Sequence, residues 1–197
     1  MFNRMKWAVL LGLLIFQSCG VLEPREAQTP ENTQDTPWIL PLSPKDVFKN
    51  LKSGFGSAKD SNYDRSLDPT FTFVPRIDDA ALFDPTVFQN WTKDVELQVL
   101  RRIKGDFPAA RSIQFGTGAD MQFTKESIEV QIAYFEGPYV ITLNSGSGPA
   151  QTFAGIARFT VKQGTQGWVL TKWEDLDLFE NFTTSGRLRG SLRASGG

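Results

Sequence analysis

The feature that most constrains the fold of this 197-residue chain is a change in the spacing of its apolar residues near Gly105. Before this glycine, apolar residues recur three and four positions apart, the spacing of one helical face, as in Val47, Phe48, Leu51 and Phe55. After it, apolar and polar residues alternate in short runs separated by turns rich in glycine and proline. We therefore predict an α+β fold in which two to three N-terminal helices pack on an antiparallel sheet of five to six strands.

Local signals place several elements along the chain. Ser43 is expected to cap the first helix, and Thr92 is expected to cap the second long helix. Between them we predict a short helical turn over residues 63–67 and a strand over residues 70–74. Within the sheet, Gly137-Pro138 is interpreted as a turn that separates two strands.

The N-terminus has the features of an export signal. Two basic residues precede an apolar run of about ten residues, Trp7 to Phe16, which is too short to span a membrane core of about 30 Å. The following stretch, Phe16-Gln17-Ser18-Cys19, resembles the bacterial lipobox, with Phe where Leu is usual. The resemblance implies cleavage before Cys19 and lipid attachment to it. An ordinary secretory signal is the alternative.

Cysteine usage favours the lipoprotein interpretation. Cys19 is the only cysteine in the chain, so it has no internal disulfide partner, and lipidation accounts for its presence. We expect a protein of the bacterial cell envelope that is anchored to a membrane through this lipid. Because Gly20 follows the cysteine, the resemblance implies the outer membrane.

The mature chain is expected to contain one folded domain. After the signal peptide of residues 1–18, residues 19–42 are rich in Pro, Glu, Gln and Thr and predict a disordered tether, which would reach roughly 50 Å if extended. The domain is placed at residues 43–185. Residues 186–197 contain arginines without acidic residues and are interpreted as a short basic tail.

The order of the predicted elements resembles that of NTF2-like (SnoaL-like) proteins over roughly residues 43–189. Trp91-Thr92-Lys93 is similar to the start of their second long helix, and residues 167–175, with two tryptophans and a trailing acid, are similar to their closing strand. Residues 185–189 are similar to their terminal motif but lack its usual Trp. The resemblance implies a cone formed by helices on a curved sheet. It implies no particular activity, because such folds host enzymes and non-catalytic proteins alike.

Composition excludes several chemistries. The chain has no histidine and a single cysteine, which excludes Ser-His and Cys-His catalysis and zinc sites built on those ligands. We expect no metal and no cofactor. The formal net charge of −1, without a concentrated basic face, argues against a nucleic-acid partner.

Two sets of residues are candidates for a site in the cone. Asp175 or Glu174, at the end of a strand, could act as a general base beside an aromatic wall, or could simply be solvated. Four aromatic residues could line a pocket for a small apolar ligand, or could belong to the core: Trp91, Tyr134, Phe153 and Trp173.

The outer face of the sheet is a candidate association surface. If Ile128, Val130 and Ile132 point inward, several apolar residues fall where polar ones are expected: Phe135, Val140, Ala154 and Ile156. NTF2-like domains commonly dimerise through this face, so the resemblance implies a homodimer. A bulge near Gly137-Pro138 could instead bury these residues.

Two hypotheses for function follow. The first is a non-catalytic, membrane-anchored envelope lipoprotein that binds a small apolar or amphipathic molecule or a protein partner. The alternative is an acid–base enzyme of the isomerase or dehydratase type that uses Asp175 or Glu174. A carboxylate in an open aromatic pocket would favour the enzyme, and a filled interior would favour the binding or structural role.

Overall fold

A computed structural model describes residues 37–195 of the chain. These residues form the helices α1 (Asp46–Gly56), α2 (Ser61–Ser66), α3 (Ile77–Ala80), α4 (Lys93–Asp106) and α5 (Ser185–Ala194), with a 3₁₀ turn at Pro85–Phe88. They also form the strands β1 (Leu67–Val74), β2 (Ala110–Phe115), β3 (Lys125–Ile128), β4 (Ile132–Asn144), β5 (Gln151–Gly164) and β6 (Gly167–Leu178). The predicted α+β class and the sheet of six strands are confirmed.

The strands form one curved sheet in the order β1-β6-β5-β4-β2, and β3 pairs with β4 beside β2. Adjacent strands are antiparallel except β1 and β6, which run parallel. The expectation of a purely antiparallel sheet was therefore wrong at this edge. The register between β5 and β6 shifts at Ile156/Ala157 and again at Thr160/Val161. Such bulges increase the local bend and twist of long strands, which helps the sheet to curve around the helices.

The core lies between the helices and the concave face of the sheet. Phe48 of α1 is fully buried and is the centre of an aromatic cluster whose ring centroids lie 5.0–5.3 Å from its own: Phe115, Phe123, Phe135 and Phe159. The apolar stripe of α1 predicted from sequence therefore faces the sheet. Close packing of aromatic rings at these distances is favourable beyond the burial of their area.

The predicted helix starts differ in outcome. The Thr92 hydroxyl accepts a hydrogen bond from the backbone N–H of Val95, as expected for the cap of α4. Helix α1, by contrast, begins at Asp46, whose carboxylate accepts hydrogen bonds from both the backbone N–H and the hydroxyl of Ser43. The Ser43 hydroxyl is thus a donor to the first helical turn and does not cap it as a side-chain acceptor.

Gly137-Pro138 does not form the predicted turn. Both residues lie inside β4, which runs without interruption from Ile132 to Asn144. The carbonyl of Pro138 accepts a hydrogen bond from the N–H of Gly116, just beyond the end of β2. Proline has no N–H to donate, and the sheet loses no hydrogen bond here because β2 has already ended. The chain turns earlier, over residues 129–131, between β3 and β4.

This shift reverses the predicted facing of the start of β4. Ala133 and Phe135 are fully buried, whereas Ile128 and Val130 are 57% and 87% exposed. Side chains in a strand alternate between faces, so moving the turn by a few residues changes which set points inward. The expectation that Ile128 and Val130 belong to the core was therefore wrong.

Both ends of the described chain pack on the domain. The Ile39 N–H donates to Asn50 Oδ1 and the Pro41 carbonyl accepts from the Trp168 N–H, so residues 38–42, expected to be tether, contact the fold. Residues 186–194, expected to be an exposed basic tail, belong to α5, in which Leu188 and Arg189 are buried. Both corrections extend the domain beyond residues 43–185.

Candidate functional site

The interior of the cone contains a buried ion pair. Arg189 of α5 donates from Nε to Oε2 of Glu96 at 3.0 Å and from Nη2 to Oε1 at 2.7 Å. Glu96 lies in the first turn of α4, and both side chains are at most 5% exposed. The two parallel hydrogen bonds give a bidentate geometry, which is the strongest arrangement for a guanidinium and a carboxylate.

Two aromatic rings, set edge to face with each other, pack against the Arg189 guanidinium. Its central carbon lies 4.5 Å from the ring centroid of Phe73 on β1 and 4.3 Å from that of Trp173 on β6. Contacts of this kind attract a cation to the face of a ring, and they are stronger where water is excluded. Arg189 is thus held by its ion pair with Glu96 and by contacts with two neighbouring aromatic rings.

The remaining acceptor capacity of Glu96 is also used. The Tyr63 hydroxyl donates to Oε1 at 2.8 Å and the Trp91 indole N–H donates to Oε2 at 3.0 Å. Burial by itself would raise the pKa of Glu96, but Arg189 and these donors hold that pKa below its usual value. The pKa of Arg189 is raised by the same carboxylate against the effect of burial. Both groups therefore remain charged near neutral pH.

Asp175 is a second buried carboxylate, and it holds the start of α5. Its Oδ1 accepts from the Trp173 indole N–H at 2.8 Å, and its Oδ2 accepts from the Ser185 hydroxyl and the Gly186 N–H, each at 2.9 Å. The Ser185 N–H donates to the Tyr139 hydroxyl at 2.9 Å. An anion that accepts from the first N–H groups of a helix stabilises that helix.

Burial raises the pKa of Asp175 above its usual value, although Arg189 and the hydrogen-bond donors lower it. The same burial, together with the charge of Asp175, raises the pKa of Tyr139. Asp175 therefore lies beside aromatic side chains and has a raised pKa, the two features expected of a general base. Its two oxygens are occupied by donors from the protein itself, however, and its contacts give it a structural role.

Glu174 is not part of this interior. It lies on the opposite face of β6, where Lys172 Nζ is 3.2 Å and Arg158 Nη1 is 4.0 Å from Oε2. Consecutive strand residues point to opposite faces, so Glu174 and Asp175 could not both face the interior of the cone.

Space for a ligand differs sharply between the interior and the surface. The cavity bounded by Tyr63, Glu96, Leu188 and Arg189 is about 10 Å³, which is at most enough for a single water molecule. A groove of about 410 Å³ lies on the outside, between residues 69–73 of β1 and residues 88–92. Its volume falls in the range of small-molecule sites.

The four predicted pocket aromatics do not form one pocket. Trp173 is fully buried against Arg189, and Trp91 is buried beside the surface groove. Phe153 is half-buried at the margin of the core, and Tyr134 is 37% exposed on the outer face of the sheet. Trp91 and Trp173 alone are brought together: both contact Phe73, and Trp91 donates to Glu96 while Trp173 packs against the Arg189 that pairs with Glu96.

The predicted association residues also separate. Val140 pairs with Ala154 and Pro138 with Ile156 across β4 and β5, which places these side chains on the outer face. Phe135 points the other way and is fully buried in the aromatic core, so it is not part of any surface. Ala154 is fully buried as well, which leaves Val140 and Ile156 as the half-buried members of this face.

The sequence interpretation missed the central residues of this cluster, Arg189 and Glu96. A usable signal was present in the C-terminal segment: Gly186 and Gly190, like Leu188 and Leu192, are four positions apart. That spacing places each pair on one helical face, which predicts a packed helix and not a solvated tail.

Solved structures similar to the domain identify its architecture. An NTF2-like superfamily protein from Salmonella enterica serovar Typhimurium aligns with a TM-score of 0.51 at 10% sequence identity, covering 70% of this chain and 89% of its own. The fold is NTF2-like. A protein from Kribbella flavida aligns with a TM-score of 0.53 at 15% identity, covering 73% of this chain and 92% of its own.

A protein from Novosphingobium aromaticivorans, named as a proposed aromatic ring hydroxylase, aligns with a TM-score of 0.54 at 13% identity, over 73% of this chain and 92% of its own. At such identities the similarity shows the NTF2-like fold and not an activity. No family model and no curated protein matches the chain. The alignments with solved structures confirm the NTF2-like fold that the sequence resemblance implied.

Several expectations concern other parts of the chain. Cys19 and the signal peptide lie outside the described residues, so lipid attachment stays a prediction. Within residues 37–195, no helix is long and apolar enough to cross a membrane. The same residues contain no cluster of three or more cysteine or carboxylate side chains arranged to hold a metal ion.

Proposed function

We propose that this protein is a membrane-anchored lipoprotein of the bacterial envelope whose NTF2-like domain binds a small molecule or a partner at its surface without catalysing a reaction. The observation that carries this proposal is the filled interior. The position where a cone would hold a ligand is occupied by Arg189, which is paired with Glu96 and packed against Phe73 and Trp173. A substrate would have to displace a buried ion pair to enter.

The alternative, an acid–base enzyme, fits the site less well. The raised pKa of Asp175 favours it, because a general base needs a pKa nearer to neutral. A base must also reach the proton of a substrate, and the oxygens of Asp175 accept hydrogen bonds from Trp173, Ser185 and Gly186. The interior cavity beside Glu96 and Arg189, at about 10 Å³, leaves no room for a substrate.

The surface groove is the site proposed for a small amphipathic ligand. The half-buried Phe88 provides aromatic surface at this groove, and the buried rings of Phe73 and Trp91 pack against it at 6.3 and 5.7 Å. Thr72 and Asn90 provide polar groups at the same groove. Ligand sites commonly combine such an apolar lining with a few polar groups.

Native mass spectrometry of the protein purified from its host cells tests this site. A co-purifying small molecule is expected with the wild type and is expected to be absent from Thr72→Trp, which fills the groove. Gln98→Trp, at an exposed position of α4, is the matched control and should retain the molecule. Equal occupancy in the two variants would place the ligand elsewhere.

The anchor is tested by metabolic labelling with a fatty acid. Cys19→Ser should lose the label and leave the membrane fraction, whereas Ser18→Ala, which keeps a small residue before the cysteine, should retain both. Lipid chains contribute about 0.8 kcal/mol per buried methylene, so several chains together give stable anchorage. A membrane-bound Cys19→Ser protein would contradict this assignment.

The outer face of the sheet is the surface proposed for a homodimer. Val140 and Ile156 are half-buried there, next to Pro138 and Ala154. Sedimentation at micromolar concentration should show a dimer that Ile156→Glu dissociates. Thr160→Glu, farther along the outer face of β5, is the control and should leave the dimer intact. A monomer at every concentration would rule out this interface.

A further inference from the structure

Three segments meet at one end of the sheet. The Trp168 N–H donates to the Pro41 carbonyl at 2.9 Å, and Trp168 pairs with Gln163 at the turn between β5 and β6. The Gln163 N–H in turn donates to the Gln131 carbonyl at 2.9 Å, in the turn between β3 and β4. Residues 38–42, through which the N-terminal chain joins the domain, therefore lie in one row with both turns.

This end of the domain exposes several large apolar side chains. Leu42 is 77% exposed and Val130 is 87% exposed. Three further apolar residues of the same segments are also exposed, namely Ile39, Leu40 and Ile128. We name these five residues the apolar end. They lie on both sides of the exposed polar turn of residues 163–166, and large exposed apolar side chains grouped at one end of a domain are candidates for contact with a membrane or another protein.

The position of the apolar end points to its partner. Cys19 precedes Pro37 by eighteen residues, so a lipid on Cys19 keeps the domain within about 65 Å of the bilayer even when the intervening chain is fully extended. The chain joins the domain beside the apolar end, and an intervening chain of this length allows that end to reach the bilayer. We propose that the apolar end docks into the interfacial layer of the membrane that holds the lipid, an inference that rests on the proposed lipidation.

Two other features agree with a bilayer surface as the partner. Tyr134, on the outer face of β4 and two residues beyond Ile132, is 37% exposed, and tyrosines are enriched at the boundary between lipid and water. Charges at this end are mixed, with Glu129 and Lys162 both exposed. The contact is thus apolar in character, so it should form on zwitterionic lipid and change little with salt.

Docking in this orientation leaves the outer-face surface free. Val140 lies eight residues beyond Ile132 along β4, about 26 Å from the apolar end at the usual rise of a strand. Membrane contact and the proposed dimer therefore use different parts of the sheet.

The test uses the mature chain, residues 19–197, with Cys19→Ser and an N-terminal hexahistidine held on nickel-chelating lipid in phosphatidylcholine vesicles. An environment-sensitive fluorophore is placed by Val130→Cys at the apolar end, or by Ile77→Cys at the matched control position. Ile77 is 83% exposed and follows the C-terminal end of β1, at the end of the sheet opposite the apolar end. Because the anchor is artificial, this experiment is independent of whether Cys19 is lipidated in the cell.

The label at position 130 should shift to shorter wavelength on the vesicles and be quenched several-fold by lipids brominated in their acyl chains. The label at position 77 should show neither effect, and adding Leu42→Glu should reduce the effect at position 130. Equal signals at the two positions would overturn the proposal. So would a shift at position 130 that appears without vesicles as the protein concentration rises, since a second copy would then cover the apolar end.

Discussion

Replacing Arg189 with methionine should test whether the ion pair is central to the stability of the fold. Methionine keeps the unbranched apolar stem between Phe73 and Trp173 but removes the guanidinium. Glu96 would then be a buried carboxylate with Tyr63 and Trp91 as its donors. Breaking a buried pair on one side is costly because the partner charge is left uncompensated in a medium of low polarity.

The expected loss in the free energy of unfolding is about 3–5 kcal/mol. Loss of the cation–aromatic contacts with Phe73 and Trp173, at 4.5 and 4.3 Å, adds about 0.5–2 kcal/mol, although a sulfur–aromatic contact offsets part of it. A domain of this size has a total stability of about 5–15 kcal/mol. Each kcal/mol shifts the melting temperature by about 2–4 °C, so loss of the ion pair alone should lower it by about 6–20 °C.

The assay is urea unfolding at neutral pH followed by circular dichroism. Glu96→Gln, which keeps one acceptor oxygen for the Trp91 N–H and whose amide N–H can donate to the Tyr63 hydroxyl, completes a double-mutant cycle with Arg189→Met. Because the double variant buries no unpaired charge, its loss should be smaller than the sum of the single losses by more than about 1.5 kcal/mol. Arg101→Met is the control, since Arg101 pairs with Asp60 at 2.9 Å on the surface and should cost about 1 kcal/mol at most.

Two results would refute the reasoning. Additive losses in the cycle would mean that Arg189 and Glu96 stabilise the domain independently of each other. An Arg189→Met variant as stable as Arg101→Met would mean that the buried pair contributes no more than an exposed one.

Three further predictions concern the close packing and titration of the same elements. Gly54→Ala should destabilise the domain by about 1–3 kcal/mol in the same urea assay, because a Cβ there would meet the backbone N of Tyr63 at 2.2 Å. Gly105→Ala is the counterpart: a Cβ at this position of α4 meets open space, so the change should stabilise the domain by about 0.5–1 kcal/mol. Burial raises the pKa of Asp175 in the folded state above the unfolded aspartate value of about 3.9. The wild type should therefore lose stability as the pH rises from about 3.9 through that raised pKa. Asp175→Asn should lack this dependence of stability on pH. A chain ended after Thr184 should fail to unfold cooperatively, because without α5 Glu96 is buried with no cation; cooperative unfolding of that chain would contradict the central role of α5.

Local signals were sufficient for most helices and for the order of helices and strands along the chain. Thr92 predicted the start of α4 because a threonine hydroxyl just before a helix accepts a hydrogen bond from a backbone N–H only three residues later. Similarly, Val47, Phe48, Leu51 and Phe55 lie within a single helix, so their common face depends on helical geometry alone. These features require no knowledge of distant parts of the chain.

The facing of β4 could not be predicted in the same way, because apolar residues occur in both phases of this segment. Ile132 and Tyr134 alternate with Ala133 and Phe135, so periodicity alone does not say which pair is buried. The choice depends on where the preceding turn lies and on the register with β5, which pairs Phe135 with Phe159. Pairing between distant strands, which local patterns do not encode, decided the outcome.

The candidate site was the least predictable part, because its central contact joins residues 93 positions apart. An arginine in a terminal segment without acidic residues has the composition of a solvated tail, and only the partner Glu96 makes its burial favourable. The same non-local pair fills the interior of the cone. The sequence could therefore indicate an NTF2-like fold but not whether its interior is open or closed. One ion pair between α4 and α5 decides this difference. Without the pair the interior could hold a substrate, and with it a ligand or partner can bind only at the surface.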